Sequence, residues 1–264
     1  MVAQQMKLTV AGVDLEVAVV SERLGTETVL FVHGLGCCKE SFASAFQDGR
    51  LSPFGLVAVD LPGFGESSRP REFSFAMEDQ AAVLHQLLDR LGVRRVHLVA
   101  HSMGGAPALL LARRLGDRLV TFVDIEGNLV AEDCSMISRR TARASFERFQ
   151  RVGLPALRTA ARESTEPAMR PFSSWLALAD PWAFWRSSIS LVRWSDSGEL
   201  LRTLLELPVP AAYVYGERSV LETVRSQLSG VALLAVARSG HFVMQDAPEE
   251  FWPLLERFLG SMAG

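Results

Sequence analysis

Short apolar runs alternate with amphipathic stretches along most of the chain. Residues 6–20 alternate apolar and polar positions around Gly12, which is typical of a β-hairpin. The apolar runs TVLFVH (28–33) and GLVAVD (55–60) predict strands that are buried on both faces. Further strands are predicted at 95–100, 118–126, 210–216 and 231–237, and helices at 76–91, 104–115, about 220–229 and 248–259. This alternation predicts a mostly parallel sheet of eight strands with helices on both faces.

One segment breaks the alternation. Residues 127–207 show no strand pattern, look helical, and contain four of the five tryptophans. We therefore predict a helical cap at 127–207, inserted into an α/β core formed by residues 1–126 and 208–264.

Composition narrows the class of protein. The chain has 264 residues, a net charge of −3 and 48% hydrophobic residues, which is ordinary for a globular protein and gives no sign of a nucleic-acid partner. We see no signal peptide and no apolar run long enough to span a bilayer, so we expect a cytoplasmic protein without a membrane partner. Three cysteines without metal-ligand spacing fit a reducing compartment, and nothing indicates a metal or a cofactor. The oligomeric state is left open.

A serine stands where a predicted strand meets a predicted helix. Ser102 lies in AHSMG, which differs from the nucleophile-elbow pattern G-x-S-x-G only by Ala100 at the first small position. Such a turn exposes the serine hydroxyl and directs helix N–H groups at it. The alternative is a serine that merely caps the helix.

Other motifs favour the nucleophile. FVHGLG (31–36) ends a strand with His-Gly, where a loop N–H can complete an oxyanion hole. SGHF (239–242) places His241 behind a glycine in a loop after the last predicted strand, which suits a general base. His97 and His101 have the spacing of a metal site on a helix, but they fall on a strand, so we reject a metal there.

Together, HGLG, DLPGFGES, AHSMGG and GHF resemble the α/β-hydrolase fold family, in the family's order and over nearly the whole chain. The resemblance implies an enzyme with Ser102 as nucleophile and His241 as general base. It also implies that the backbone N–H groups of Leu35 and Met103 form the oxyanion hole.

The acid that orients His241 is less obvious. Most family members carry it after the strand that reads AAYVYG here, but Ser219 stands at that position. Glu126 is our candidate, because it ends the strand beside that of Ser102, and a minority of the family places the acid there. Asp124, Glu217 and Glu222 are the rivals, and a site without an acid is the remaining possibility.

The predicted cap suggests the kind of substrate. Its aromatic residues, if they do more than pack the cap, form an apolar acyl pocket, with Trp175, Trp182 and Trp185 as candidate substrate-binding residues. The run 138–151 is rich in arginine and reads mainly as a solvated face, although Arg139, Arg140 or Arg143 would suit an anionic substrate group.

The sequence thus predicts a serine hydrolase acting on small-molecule esters with small to medium apolar acyl groups, without cofactor or metal. Thioesterase, lactonase, amidase and C–C bond hydrolase activities would use the same catalytic groups. A hypothesis from another class is a small-molecule receptor built on a hydrolase scaffold.

Overall fold

A central sheet organises the protein in the computed structural model, which describes residues 1–25, 27–134, 137–219 and 222–261, with the backbone alone at 222 and 223. The strands are β1 (Val2–Val10), β2 (Val13–Glu22), β3 (Glu27–Val32), β4 (Gly55–Val59), β5 (Arg95–His101), β6 (Leu119–Ile125), β7 (Ala211–Gly216) and β8 (Ala232–Val236). Their order is β1-β2-β4-β3-β5-β6-β7-β8. β1 and β2 run antiparallel to their neighbours and the other pairs are parallel, which confirms the predicted sheet.

The parallel register brings several strand ends to one edge. Val32 of β3 pairs with Ala100 of β5, and Ala100 pairs in turn with Asp124 of β6. β3, β4, β5 and β6 consist almost wholly of buried residues, as expected for strands covered on both faces. The residues that follow β3, β5 and β6 therefore meet at the carboxyl edge of the sheet.

Helices occupy the connections. The helices are α1 (Ala45–Asp48), α2 (Met77–Arg90), α3 (Gly105–Leu115), α4 (Ile137–Arg143), α5 (Phe146–Arg148), α6 (Leu154–Glu163), α7 (Met169–Ala177), α8 (Pro181–Ser197), α9 (Glu199–Leu205), α10 (Glu222–Arg225), α11 (Val243–Asp246) and α12 (Pro248–Gly260). The predicted helix near 220–229 is shorter than expected, and residues 220 and 221 lie outside the described part. No helix within the described ranges is long and apolar enough to cross a membrane.

Between β6 and β7 the described residues form helices and the turns that join them, without a strand, and α8 attaches this segment to the start of α2. The Ser190 hydroxyl accepts a hydrogen bond from the backbone N–H of Met77 at 3.0 Å, and the Ser187 hydroxyl donates to the Phe75 carbonyl at 3.2 Å. Arg193 forms an ion pair with Glu78. Three polar contacts thus fix one side of α8 against residues 75–78.

The motif DLPGFGES holds a buried carboxylate. Asp60 is fully buried, and its oxygens accept the backbone N–H groups of Lys39 at 2.6 Å and Glu66 at 2.9 Å. The Lys39 ammonium, also buried, lies 2.9 Å from Asp60 and 2.6 Å from Glu66. Asp60 therefore joins the loops after β3 and β4 below the carboxyl edge of the sheet.

We expect Asp60→Ala to lower the free energy of unfolding by about 3–5 kcal/mol, because two N–H groups lose their acceptor and the buried Lys39 ammonium loses its only buried carboxylate partner among the described residues, keeping the more exposed Glu40 and Glu66. Urea unfolding followed by circular dichroism measures this difference. Glu199→Ala is the control, since it breaks ion pairs between half-exposed side chains and is expected to cost about 1 kcal/mol or less. Equal losses in the two variants would contradict a structural role for Asp60.

Candidate active site

Ser102 occupies a strained turn between β5 and α3. Its φ is +52°, which is unusual for a residue with a side chain, and it begins a 3₁₀ turn that ends at Gly104. Gly104, not Ser102, is the N-cap of α3, so the serine does not act as a helix cap. The Ser102 hydroxyl instead donates a hydrogen bond to Oδ1 of Asn128, at 3.4 Å.

The loop after β3 packs directly against this turn. A Cβ atom at Gly34 would lie 2.9 Å from Nδ1 of His101 and 3.1 Å from Cβ of Ser102, so only glycine permits this approach. Leu35, the next residue, lines the cavity above Ser102. Met103 follows Ser102 and its side chain is fully buried. Gly34 and Ser102 approach each other closely here. Leu35 and Met103, the residues predicted to form the oxyanion hole, directly follow them in the sequence.

His241 lies at the same cavity as Ser102 and contacts a carboxylate. Its Nδ1 is 3.5 Å from Oε2 of Glu126, while the imidazole keeps 35% of its surface exposed. Glu126 is nearly buried and has a φ of +53°, so this residue also adopts the left-handed backbone conformation. Of the three side chains that the sequence analysis selected, Ser102 and His241 thus line one cavity, and Glu126 contacts His241.

The second oxygen of Glu126 is held by the loop after β7. Oε1 accepts the backbone N–H of Gly216 at 2.8 Å and the hydroxyl of Ser219. Ser219 stands at the position where an acid was expected in most family members, and here it donates to Glu126. A Cβ at Gly216 would lie 2.4 Å from the carbonyl oxygen of Gly240, so this glycine lets the His241 loop approach β7.

The rival carboxylates are placed differently. Asp124 is fully buried in β6, and neither of its oxygens has a hydrogen-bond partner among the residues that the structure describes. Burial, and then the nearby Asp133 and Glu126, raise the pKa of Asp124 well above its usual range, so we expect a neutral carboxyl. Glu217 is exposed and is not among the residues that line the cavity. The side chain of Glu222 lies outside the described part of the chain.

His101 supports the loop that carries His241, a contact that the sequence analysis did not foresee. Its Nε2 is 2.9 Å from the backbone carbonyl oxygen of His241, and the two rings lie 4.7 Å apart. A carbonyl only accepts, so Nε2 of His101 carries the proton. Burial, followed by the neighbouring His241, lowers the pKa of His101 well below its usual range, so it stays a neutral donor.

The cavity over Ser102 has a volume of about 430 Å³. Its apolar lining comes mainly from the loop after β3, from helices between β6 and β7, and from the residue after His241: Leu35, Ile137, Ala168, Met169, Phe172, Leu191 and Phe242. Its polar lining includes Asn128, Asp133, Glu166, Arg218 and Asp246. The lining thus combines apolar side chains with three carboxylates, Asn128 and Arg218.

The three tryptophans that we expected to bind substrate do not line this cavity. Trp175 is buried and packs on Phe242, at 6.3 Å between ring centroids. Trp182 and Trp185 pack on each other and on Phe146, so their rings stabilise helix packing. The sequence shows that these helices are rich in aromatic residues, but it does not show which face of each helix is turned towards the cavity.

The arginines proposed for an anionic group also lie elsewhere. Arg139 donates to Asp196 and to the Ala131 carbonyl, and Arg140 and Arg143 are exposed. Arg218, which the sequence analysis did not select, lines the cavity instead. Its guanidinium lies 3.5 Å from Glu166 and 3.9 Å from Asp246, so two acidic side chains already face it.

One group of side chains in the described residues has the spacing of a metal site, namely Cys38, Glu40 and Asp60. The Lys39 ammonium lies 2.9 Å from both Glu40 and Asp60, so a positive charge already occupies this position. Burial raises the pKa of the Cys38 thiol, which keeps it protonated. These residues do not fit a metal ion, since a thiol must ionise to bind one.

Comparison with known proteins defines the class. Residues 29–254 match the alpha/beta hydrolase family, and the chain belongs to that family. It is 39% identical over 88 residues to the dihydrolipoyllysine-residue acetyltransferase component of the acetoin cleaving system of Cupriavidus necator, and the match covers 33% of this chain and 23% of that protein. It is 34% identical over 108 residues to Lipase 1 of Psychrobacter immobilis, covering 40% of this chain and 33% of the lipase. The chain thus spans a third or less of these two relatives.

A solved structure confirms the fold over the full length. A thermophilic esterase from Thermogutta terrifontis, studied with malate bound, superposes with a TM-score of 0.81. The superposition covers 99% of this chain and 100% of the esterase, at 21% sequence identity. The predicted α/β-hydrolase fold is therefore confirmed.

The buried carboxyl of Asp124 generates a prediction on stability. In the unfolded chain this group ionises near pH 4, whereas in the folded chain it keeps its proton to a much higher pH. Between these values the folded state binds more protons, so the carboxyl makes the protein less stable as pH rises. Asp124→Asn removes this contribution.

The variant should therefore gain stability relative to the parent as pH rises from 5 to 8, as measured by urea unfolding at both values. Asp117→Asn, at an exposed position, is the matched control. A difference between Asp124→Asn and the parent that is the same at both pH values would contradict a neutral Asp124.

Proposed function

We propose that this protein is a serine hydrolase that cleaves carboxylic esters with small to medium apolar acyl groups. The observation that carries the proposal is that Ser102 and His241 line one cavity, while Glu126 lies 3.5 Å from Nδ1 of His241. Membership of the alpha/beta hydrolase family adds support. Ester hydrolysis is also the reaction named for the lipase and the esterase to which the chain is similar.

In the first half of the reaction, the Ser102 hydroxyl turns from Asn128 to Nε2 of His241. The imidazole takes the hydroxyl proton while Oγ attacks the ester carbonyl carbon. Glu126 accepts from Nδ1, which fixes the tautomer and stabilises the imidazolium that forms. The proton then passes to the leaving alcohol, and an acyl ester of Ser102 remains.

The negative charge on the carbonyl oxygen needs donors that are already in place. The backbone N–H groups of Leu35 and Met103 are our candidates, because the Gly34 loop touches the Ser102 turn. The start of α3 adds the positive end of a helix dipole. In the second half, His241 activates a water that attacks the acyl carbon and returns the proton to Ser102.

The shape and lining of the cavity support the acyl preference. About 430 Å³ suits a small molecule. Phe172, Leu191 and Phe242 lie among its apolar lining, so an apolar acyl chain would bury against them. Residues 127–207 would then act as the cap that encloses the acyl chain, since Leu191 and Phe172 belong to this segment.

Thioesterase, lactonase, amidase and C–C bond hydrolase activities remain the alternatives within the same chemistry. The receptor hypothesis rested on the missing acid at position 219. The contact between Glu126 and His241, with Ser219 donating to Glu126, favours the hydrolase instead.

The test measures turnover of short-chain and medium-chain nitrophenyl esters by the parent and by single variants. Ser102→Ala should abolish turnover, and Glu126→Gln should lower kcat on the order of 10⁴-fold, because the histidine loses its orienting carboxylate. Glu217→Gln is the matched control and should keep the rate of the parent, since Glu217 is exposed.

One result would count against the hydrolase, and another would count against Glu126 as its acid. Binding of the ester without turnover in the parent would favour the receptor. A near-parental rate in Glu126→Gln, with loss in Glu217→Gln or Glu222→Gln, would keep the hydrolase but move the acid.

A further inference from the structure

The side-chain amide of Asn128 lies beside Ser102 at the cavity. Asn128 lines the cavity and is 8% exposed, and its Oδ1 is 3.4 Å from the Ser102 hydroxyl. Its Nδ2 donates to the backbone carbonyl of Asp133 at 2.8 Å. Because a backbone carbonyl only accepts, the nitrogen must face Asp133 and the oxygen must face Ser102.

Further contacts fix this orientation. The carboxylate of Asp133 accepts the backbone N–H groups of Leu129 at 2.8 Å and Val130 at 3.0 Å, which closes the turn that follows Asn128. The backbone carbonyl of Asn128 accepts the hydroxyl of Ser195 from α8, at 2.9 Å. The amide oxygen is therefore a rigid acceptor beside the proposed nucleophile.

During the proposed reaction, Oδ1 of Asn128 loses its hydrogen-bond partner, the Ser102 hydroxyl. When Ser102 attacks, its proton passes to His241 and its oxygen bonds to the acyl carbon, so it no longer donates to Asn128. Oδ1 of Asn128 is then a nearly buried acceptor without a hydrogen bond, which is unfavourable. A substrate that brings a donor to this position restores the hydrogen bond.

We propose that Asn128 is a specificity-determining residue, which selects substrates that carry a hydroxyl or N–H donor next to the scissile ester group. This inference rests on the proposed function. The carboxylates of Asp133, Glu166 and Asp246 line the same cavity, and each already contacts a backbone N–H or Arg218. Burial raises the pKa of Asp133 to about 6, so it is mainly an ionised acceptor above neutral pH.

Three esters of similar size test the proposal and locate the donor. Ethyl butyrate has no donor, ethyl 2-hydroxybutyrate (both enantiomers) has a hydroxyl on the acid side, and 2-hydroxyethyl butyrate has it on the alcohol side. A pH-stat measures kcat/KM for each with the parent and with Asn128→Leu, which has a similar volume but no acceptor.

We expect the parent to prefer one hydroxylated ester over ethyl butyrate, and Asn128→Leu to reduce that ratio about tenfold, the effect of one hydrogen bond. The ester whose ratio falls gives the side on which the donor binds. Asn128→Ala serves as a second variant. Each ratio is internal to one enzyme preparation, so a lower fraction of folded protein does not change it.

Gln80→Leu is the matched control. Gln80 is a fully buried amide that donates to the Pro62 carbonyl at 3.1 Å and does not line the cavity, so both ratios should stay those of the parent. Unchanged ratios in both Asn128 variants, with turnover still dependent on Ser102, would overturn this inference alone. Turnover that survives Ser102→Ala would instead overturn the proposed function.

Discussion

The site depends on the contacts that the carboxylate of Glu126 makes. Glu126 directly follows β6, yet its two oxygens contact the end of β7, the loop after β7 and the imidazole of His241 in the loop after β8. Gly216, Ser219 and His241 therefore keep their relative positions through one side chain. Because Glu126 is nearly buried, its hydrogen bonds lie in a region of low dielectric constant and act more strongly than at the surface.

Glu126 and Asp124, two acidic residues near the end of β6, differ in their hydrogen bonding. Glu126 faces donors on both oxygens, whereas Asp124, two residues earlier and also buried, has none within the described part of the chain and is held neutral by burial. The difference comes from depth in the sheet, since Asp124 lies within β6 and Glu126 lies just beyond its end. The same chemical group is thus a hydrogen-bond acceptor in one position and a neutral buried carboxyl in the other.

Two backbone conformations at the site are unfavourable in free energy. Ser102 and Glu126 both adopt the left-handed conformation, which is unfavourable for residues with side chains. The surrounding contacts compensate for it: the Gly34 loop packs on Ser102, and three groups hold Glu126. His101 adds a neutral donor that ties the His241 loop to the strand of the proposed nucleophile. Rigid positioning of this kind is what catalysis by oriented groups requires.

The sequence by itself determined the strand–helix alternation, the eight-stranded sheet and the family, because buried parallel strands and glycine-bounded turns have strong local patterns. It also selected Ser102, His241 and Glu126, since each ends a strand or follows one. Only the tertiary structure decided the role of Ser219, the contact of Asn128 with Ser102, and the packing of Trp182 and Trp185 away from the cavity. These depend on loop paths and helix rotation, which arise from contacts between residues distant in sequence.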